Sequence, residues 1–161
     1  LNDVLLRDVG GLISASGRWP LVLDCSGQAS VFLRYQDTNY VNALTRRHLE
    51  PPLLRRSLLG ALRYGKPLVL DLQECDLWEE VRGAFDRVEP GLLSRLLDKS
   101  LLSRERYTSL IRPQEDGEEY EANRFQEARL RSFTFIVLSS ARRPNPQLLE
   151  AFYVLRVLIS E

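Results

Sequence analysis

Arg18-Trp19-Pro20-Leu21-Val22-Leu23-Asp24-Cys25-Ser26-Gly27-Gln28-Ala29 is the stretch whose reading decides the fold. A short apolar run bounded by turn-forming residues suits a buried strand, and Ser26 is placed to cap the helix that follows. Strand, tight turn and helix in that order form the place where an α/β nucleotide-binding domain carries its phosphate loop. The chemistry of such a loop is missing. Wrapping phosphates takes several glycines, so that consecutive backbone N–H groups converge, and a Lys followed by Ser or Thr for the phosphate charge and the Mg²⁺. Here Gly27 stands alone with Gln28 after it, and the chain's two lysines, Lys66 and Lys99, lie outside any glycine-rich turn. The residues point to an ATPase-like frame with no means of gripping a triphosphate.

Working outward, Ala29, Phe32 and Leu33 share a helical face while Arg34 and Gln36 point away. Asp37-Thr38-Asn39 ends that helix, and Tyr40 to Leu44 reads as a second strand. Pro51 and Pro52 fit the first turn of a helix whose buried stripe is Leu54, Leu58, Ala61 and Leu62, with Arg55, Arg56 and Arg63 on the wet side. Gly65-Lys66-Pro67 stops it, and Pro67 to Leu72 is the next buried strand. Asp76 to Phe85 and Pro90 to Lys99 are helical in pattern, and Tyr107 to Arg112 reads as a strand. Ser132 to Ser139 and Phe152 to Ile159 supply two more strands. Upstream, Leu1 to Ser16 spaces its apolar residues as a short helix weakened by Gly10-Gly11. Strands alternating with helices predict a mostly parallel sheet covered on both faces. Arg112 to Arg131 departs from the alternation and is expected to form a surface hairpin or excursion.

At 161 residues the chain fits one domain, residues 1–161, with a core of ordinary size. Its net charge is zero, so nothing globally basic advertises nucleic acid or an anionic membrane as a partner. Twenty arginines stand against two lysines, a bias that carries no functional conclusion by itself. No apolar run approaches the ~20 residues that span a bilayer, and the expected location is intracellular. Cys25 and Cys75 are too few for a disulfide framework, and with His48 they give no zinc-ligand spacing. Glu79-Glu80 and Glu118-Glu119 are sequence neighbours that do not share a helix face, so solvated surface is the expectation. No nucleophile elbow or catalytic His–acid spacing is present. The chain opens on Leu1 and holds no methionine, which favours a domain excised from a longer protein.

Three segments carry a family resemblance. Trp19 to Ala29, WPLVLDCSGQA, resembles the opening of the ATP-binding dynein motor region, the fifth AAA+ module of dynein heavy chains. That family reads Trp-Pro-Leu, two apolar residues, Asp, two variable residues, then Gly-Gln-Ala. Tyr64 to Leu70 is similar to its aromatic-Gly-x-Pro approach to the third strand. Phe133 to Ser140, followed by Arg142 and Asn145-Pro146, is similar to its fourth strand and Arg-Asn-Pro exit. The three occur in the same order along nearly the whole chain. Gln114 to Ala128 is longer than the hairpin of that family, and Asp37 to Pro52 diverges.

The resemblance implies a P-loop NTPase-like AAA+ large subdomain: a three-layer α/β fold with strand order 5-1-4-3-2, its first, third and fourth strands lining the nucleotide cleft. It implies a non-hydrolysing member, since that module of dynein is a structural part of the ring. Asp71 stands where an active ATPase holds its Mg²⁺-linked Asp, but Leu72 occupies the position of the water-activating Glu. Ser139 and Ser140 fall near a γ-phosphate sensor, and Arg142 and Arg143 near an arginine finger. The expected vestigial pocket is therefore Asp24, Ser26, Gly27, Gln28, Asp71, Ser139, Ser140 and Arg142, with no catalytic residue, no metal and no cofactor. ATP and Mg²⁺ enter only under the alternative of a nucleotide-binding ATPase module. The expected role is a scaffold that contacts proteins, chiefly neighbouring domains of its own chain, in the cytoplasm, cytoskeleton or cilium. A second alternative is a fragment of a dynein motor ring, and a similar module also occurs beside ankyrin repeats and an IQ motif.

Overall fold

The structure, a computed structural model, describes residues 1–158. After a π-helical turn at Asn2–Leu6 come α1 (Leu12–Ser16), β1 (Pro20–Leu23), α2 (Gln28–Arg34), β2 (Asn39–Asn42), α3 (Pro51–Tyr64) and β3 (Leu68–Asp71). The chain continues through α4 (Trp78–Val88), α5 (Leu92–Leu97), α6 (Arg104–Tyr107), α7 (Pro113–Asp116), α8 (Glu127–Ser132), β4 (Phe135–Ser139), α9 (Pro146–Ala151) and β5 (Tyr153–Arg156). The five strands form one parallel sheet in the order β2-β3-β4-β1-β5, which read from the other edge is the expected 5-1-4-3-2. This is a P-loop-like arrangement.

The register follows from burial. Leu21, Val137 and Leu70 lie side by side on β1, β4 and β3, and all four residues of β1 and β3 and all five of β4 are buried. Strands covered on both faces read as continuous apolar runs, which is why these three were plain in the sequence. The larger core lies on the side of α3, α4 and α5, with Leu58, Leu62, Phe85 and Leu96 packed on Leu21, Leu70 and Val137. The opposite face is covered more thinly, by Leu5, Ala29 and Leu33 over Val22, Val69 and Ile136.

Helix α3 shows how local sequence fixes an element. Pro51 and Pro52 occupy its first turn, and Gly65 ends it in the left-handed region at φ 67°. A Cβ at Gly65 would stand 2.6 Å from the backbone carbonyl oxygen of Arg129, so both conformation and space demand glycine. Leu54, Leu58, Ala61 and Leu62 are buried as expected, and Arg56 is exposed. Arg55 is not on the wet side. Its side chain is 5% exposed and forks onto the Asp116 carboxylate, Nη1 at 2.8 Å and Nη2 at 2.8 Å, while Nη1 also donates to the Leu110 carbonyl at 3.0 Å. A planar guanidinium with its partner present can be buried where an unpaired one cannot.

Several expected elements differ. Tyr107 to Arg112 is not a strand: α6 ends at Tyr107 and a 3₁₀ turn spans Thr108–Leu110. Tyr107 and Leu110, three residues apart, are both buried, and Tyr107 stacks on Phe125 at 4.9 Å. That spacing is helical, and no strand edge lies there to pair with. The excursion from Arg112 to Arg131 is present as short helical turns rather than a hairpin. The leading segment breaks at Asp8, φ 46°, whose carboxylate accepts the Ile13 and Ser14 amides of α1. Strand β2 ends at Asn42, two residues before the expected Leu44, because the Asn42 side chain accepts the Leu44 amide in a turn. The last strand ends at Arg156, with Val157 still donating to Leu23, and Ile159 lies outside the described residues.

Candidate functional site

In an open parallel sheet, ligands gather at the carboxyl ends of strands where the chain reverses direction of winding. Here that point lies between β1, which leads away toward β2, and β4, which leads back toward β5. Register places Leu23 opposite Ser139 and Asp71 opposite Leu138, so Asp24, Asp71 and Ser139 converge at one rim. They line a crevice of about 190 Å³ together with Gly27, Ser140 and Arg34. This is below the ~300–1,000 Å³ of ordinary small-molecule pockets.

Asp24 governs one wall. It is 5% exposed, and its two oxygens are engaged inside its own loop. Oδ1 accepts the Ser26 amide at 2.9 Å and the Ser26 hydroxyl at 2.5 Å, and Oδ2 accepts the Ala29 amide at 2.6 Å. The Ser26 hydroxyl in turn accepts the Gln28 amide at 3.2 Å. Gly27 takes the left-handed turn, φ 78°, that lets the chain double back onto this carboxylate. Ser26 caps the helix start as expected, and the Asp24 carboxylate shares the task. Burial pushes the Asp24 carboxyl up, but the Ser26 hydroxyl and the Ala29, Ser26 and Gln28 amides outweigh it and hold it below the usual carboxylate range.

Asp71 forms the second wall, also buried. Its Oδ2 accepts the Tyr40 hydroxyl at 2.6 Å and its Oδ1 accepts the Gln73 amide at 3.0 Å. Burial first, and then the neighbouring carboxylate, push the Tyr40 hydroxyl far above its ordinary value. The Arg34 guanidinium stacks over the Tyr40 ring at 5.3 Å. Leu72, in place of an activating Glu, is buried in the larger core. Ser139 is buried, and its hydroxyl accepts the Ala141 amide at 3.2 Å. The Ser140 amide donates to the Gln73 carbonyl at 2.8 Å.

The structure thus brings Asp24, Gly27, Asp71, Ser139 and Ser140 to one crevice, with Ser26 and Gln28 on the loop at its edge. Arg142 is exposed and does not line it. The cation that does is Arg34, at the end of α2, and its partner Tyr40 came from β2; neither was among the sequence candidates. Among the described residues, no group of three or more His, Cys, Asp or Glu side chains is placed to hold a metal ion. A magnesium triphosphate does not fit these residues: two buried carboxylates face it, the Ser26, Gln28 and Ala29 amides are taken, and no lysine is at hand. No helix among the described residues is long and apolar enough to cross a membrane.

No protein-family model matches this sequence, and no solved structure matches the chain. The class therefore rests on topology: an α/β domain with a five-stranded parallel sheet of P-loop-like order.

Proposed function

We propose that this chain is a dynein-like AAA+ module that neither binds nor hydrolyses nucleotide and works as a structural unit contacting other proteins, chiefly neighbouring domains of a longer chain. The observation that carries the reading is the Asp24 carboxylate seated on the Ser26 and Ala29 amides, in the volume where a phosphate would need those donors. The occupied Asp71, paired with Tyr40, supports it from the second wall. The three sequence segments that resemble the dynein module fall on β1, the approach to β3, and β4 in the same order, which supports the family reading. A cytoplasmic, cytoskeletal or ciliary setting comes with that resemblance.

Calorimetric titration with Mg-ATP and with ADP is the direct test. No heat of binding is expected up to millimolar nucleotide. A dissociation constant in the low micromolar range would overturn the reading in favour of a nucleotide-binding module.

A further inference from the structure

The amino end of the sheet, opposite the crevice, carries a second cleft of about 510 Å³ between the leading segment, the turn before β1, the end of α5 and the turn before β4. Its charge is one-sided: Arg7, Arg18, Lys99 and Arg131 line it against a single carboxylate, Asp8. That carboxylate is committed elsewhere, since its oxygens accept the Ile13 and Ser14 amides and the Ser14 hydroxyl. Arg7 pairs with Asp3 on the surface. Among the described residues, Arg18, Lys99 and Arg131 have no carboxylate within ion-pair distance.

Lys99 is the telling member. It is half-buried, it holds the left-handed backbone conformation, φ 67°, that disfavours any side chain, and its ammonium sits 4.2 Å from the centre of the Trp19 ring. The ring is itself fixed, with Nε1 donating to the Leu96 carbonyl at 2.8 Å. Burial pulls the Lys99 ammonium below its ordinary value, as expected for a cation that lacks an anion. Three cations without an ion-pair partner, facing only the amide-bound Asp8 carboxylate, form a local positive field on a chain of zero net charge.

The walls choose among anions. The cleft is too large for one phosphate, and Leu6 and Leu102 present apolar surface between the charges. A single-stranded nucleic acid would stack its bases on open aromatic faces, and Trp19 and Phe133 are buried. Lys99 is half-buried against the Trp19 ring, so a flat lipid surface would meet Arg18 and Arg131 and leave Lys99 unanswered. We infer that this cleft binds an acidic peptide segment of a partner protein, its carboxylates on Arg18, Lys99 and Arg131 and its apolar side chains on Leu6 and Leu102. Such a site lies at the far end of the sheet from the nucleotide question, so either can fail without the other.

A fluorescein-labelled peptide of repeated Glu-Glu-Leu is the probe, followed by anisotropy at low and at physiological salt. The expected result is saturable binding that weakens with salt. Arg18→Glu/Arg131→Glu should lose at least tenfold in affinity, while Arg46→Glu/Arg47→Glu, the same charge change near the other end, should not. Both pairs are exposed, so circular dichroism and melting should be unchanged for each. Phosphate and single-stranded poly-uridine should fail to compete at matched charge. Absence of binding, equal loss in the two variants, or equal competition by the RNA would overturn the inference.

Discussion

The two rims of this sheet handle charge in opposite ways. At the carboxyl rim, Asp24 and Asp71 are turned inward, each oxygen engaged by an amide or hydroxyl of the fold itself. At the amino rim, Arg18, Lys99 and Arg131 face a cleft with no carboxylate answering them among the described residues. A polar group whose partner is internal contributes to stability, and its loss is read in unfolding. A charge without one contributes little to the fold and is read in binding. The lesson is that the end of the sheet where topology leads one to look for a ligand is the end that has closed on itself.

The largest effect is expected where the inward pattern is most complete. Arg55→Ala would leave the Asp116 carboxylate, with a side chain 2% exposed, without its bidentate partner. Breaking a buried pair from one side costs ~3–5 kcal/mol, measurable as a drop in the urea midpoint. The pair also fixes a pH dependence. The Asp116 carboxyl is held low, first by the Arg55 hydrogen bonds and against the opposing effect of burial. Its folded value lies below the unfolded one near ~3.9, so the stabilisation is complete above that pH and is lost as pH falls through the folded value. Urea midpoints taken from neutral to acidic pH should fall less steeply in Arg55→Ala than in the parent.

Next in size is Leu70→Ala, on β3 between β2 and β4, where truncation of a fully buried leucine should cost ~2–5 kcal/mol. It should lower the unfolding midpoint without altering charge at either end. Asp24→Ala should cost ~1 kcal/mol, as the loss of a helix-capping side chain does. It should not create affinity for ATP, since no lysine is supplied, and calorimetry on this variant sharpens the contrast between a closed site and a vacant one. A gain of micromolar ATP binding would show that Asp24 alone had been blocking a competent pocket. The smallest effects belong to the amino rim. Arg18→Ala and Arg131→Ala should each move stability by less than ~0.5 kcal/mol, and a larger loss in thermal melting would mean that these cations have internal work after all.

Much of the frame was legible. Leu21 to Leu23, Leu68 to Asp71 and Phe135 to Ser139 are apolar runs too short for a helix and bounded by turn signals, which suits strands in a sheet covered on both sides. The loop after β1 was legible in part, with Ser26 as a cap, because the bonds that close it are local: Ser26 and Ala29 lie within five residues of Asp24. What escaped depends on distance along the chain. Arg55 looked wet because its partner is Asp116, and no local pattern links them. Tyr40 reaches Asp71 because β2 pairs with β3, and Arg34 enters the crevice from the end of α2, neither of which a local pattern announces. Tyr107 to Arg112 carries Tyr, Thr and Ile, which suit a strand, but the three-residue spacing of its buried Tyr107 and Leu110 is helical.

The missing side chain at Gly65 reaches further than its own turn. Strands β3 and β4 are neighbours in the sheet, yet residues 72–134 run between them. Just before β3 departs, the backbone of Gly65 lies against that of Arg129, four residues before Phe133 and the approach to β4. Outgoing and returning chain are thus gauged against each other at main-chain distance, like the two posts of a gate whose width is set by one absent methyl group. A side chain at residue 65 would therefore be felt at the entries of β3 and β4 together, two strands that touch in the sheet but lie far apart along the chain.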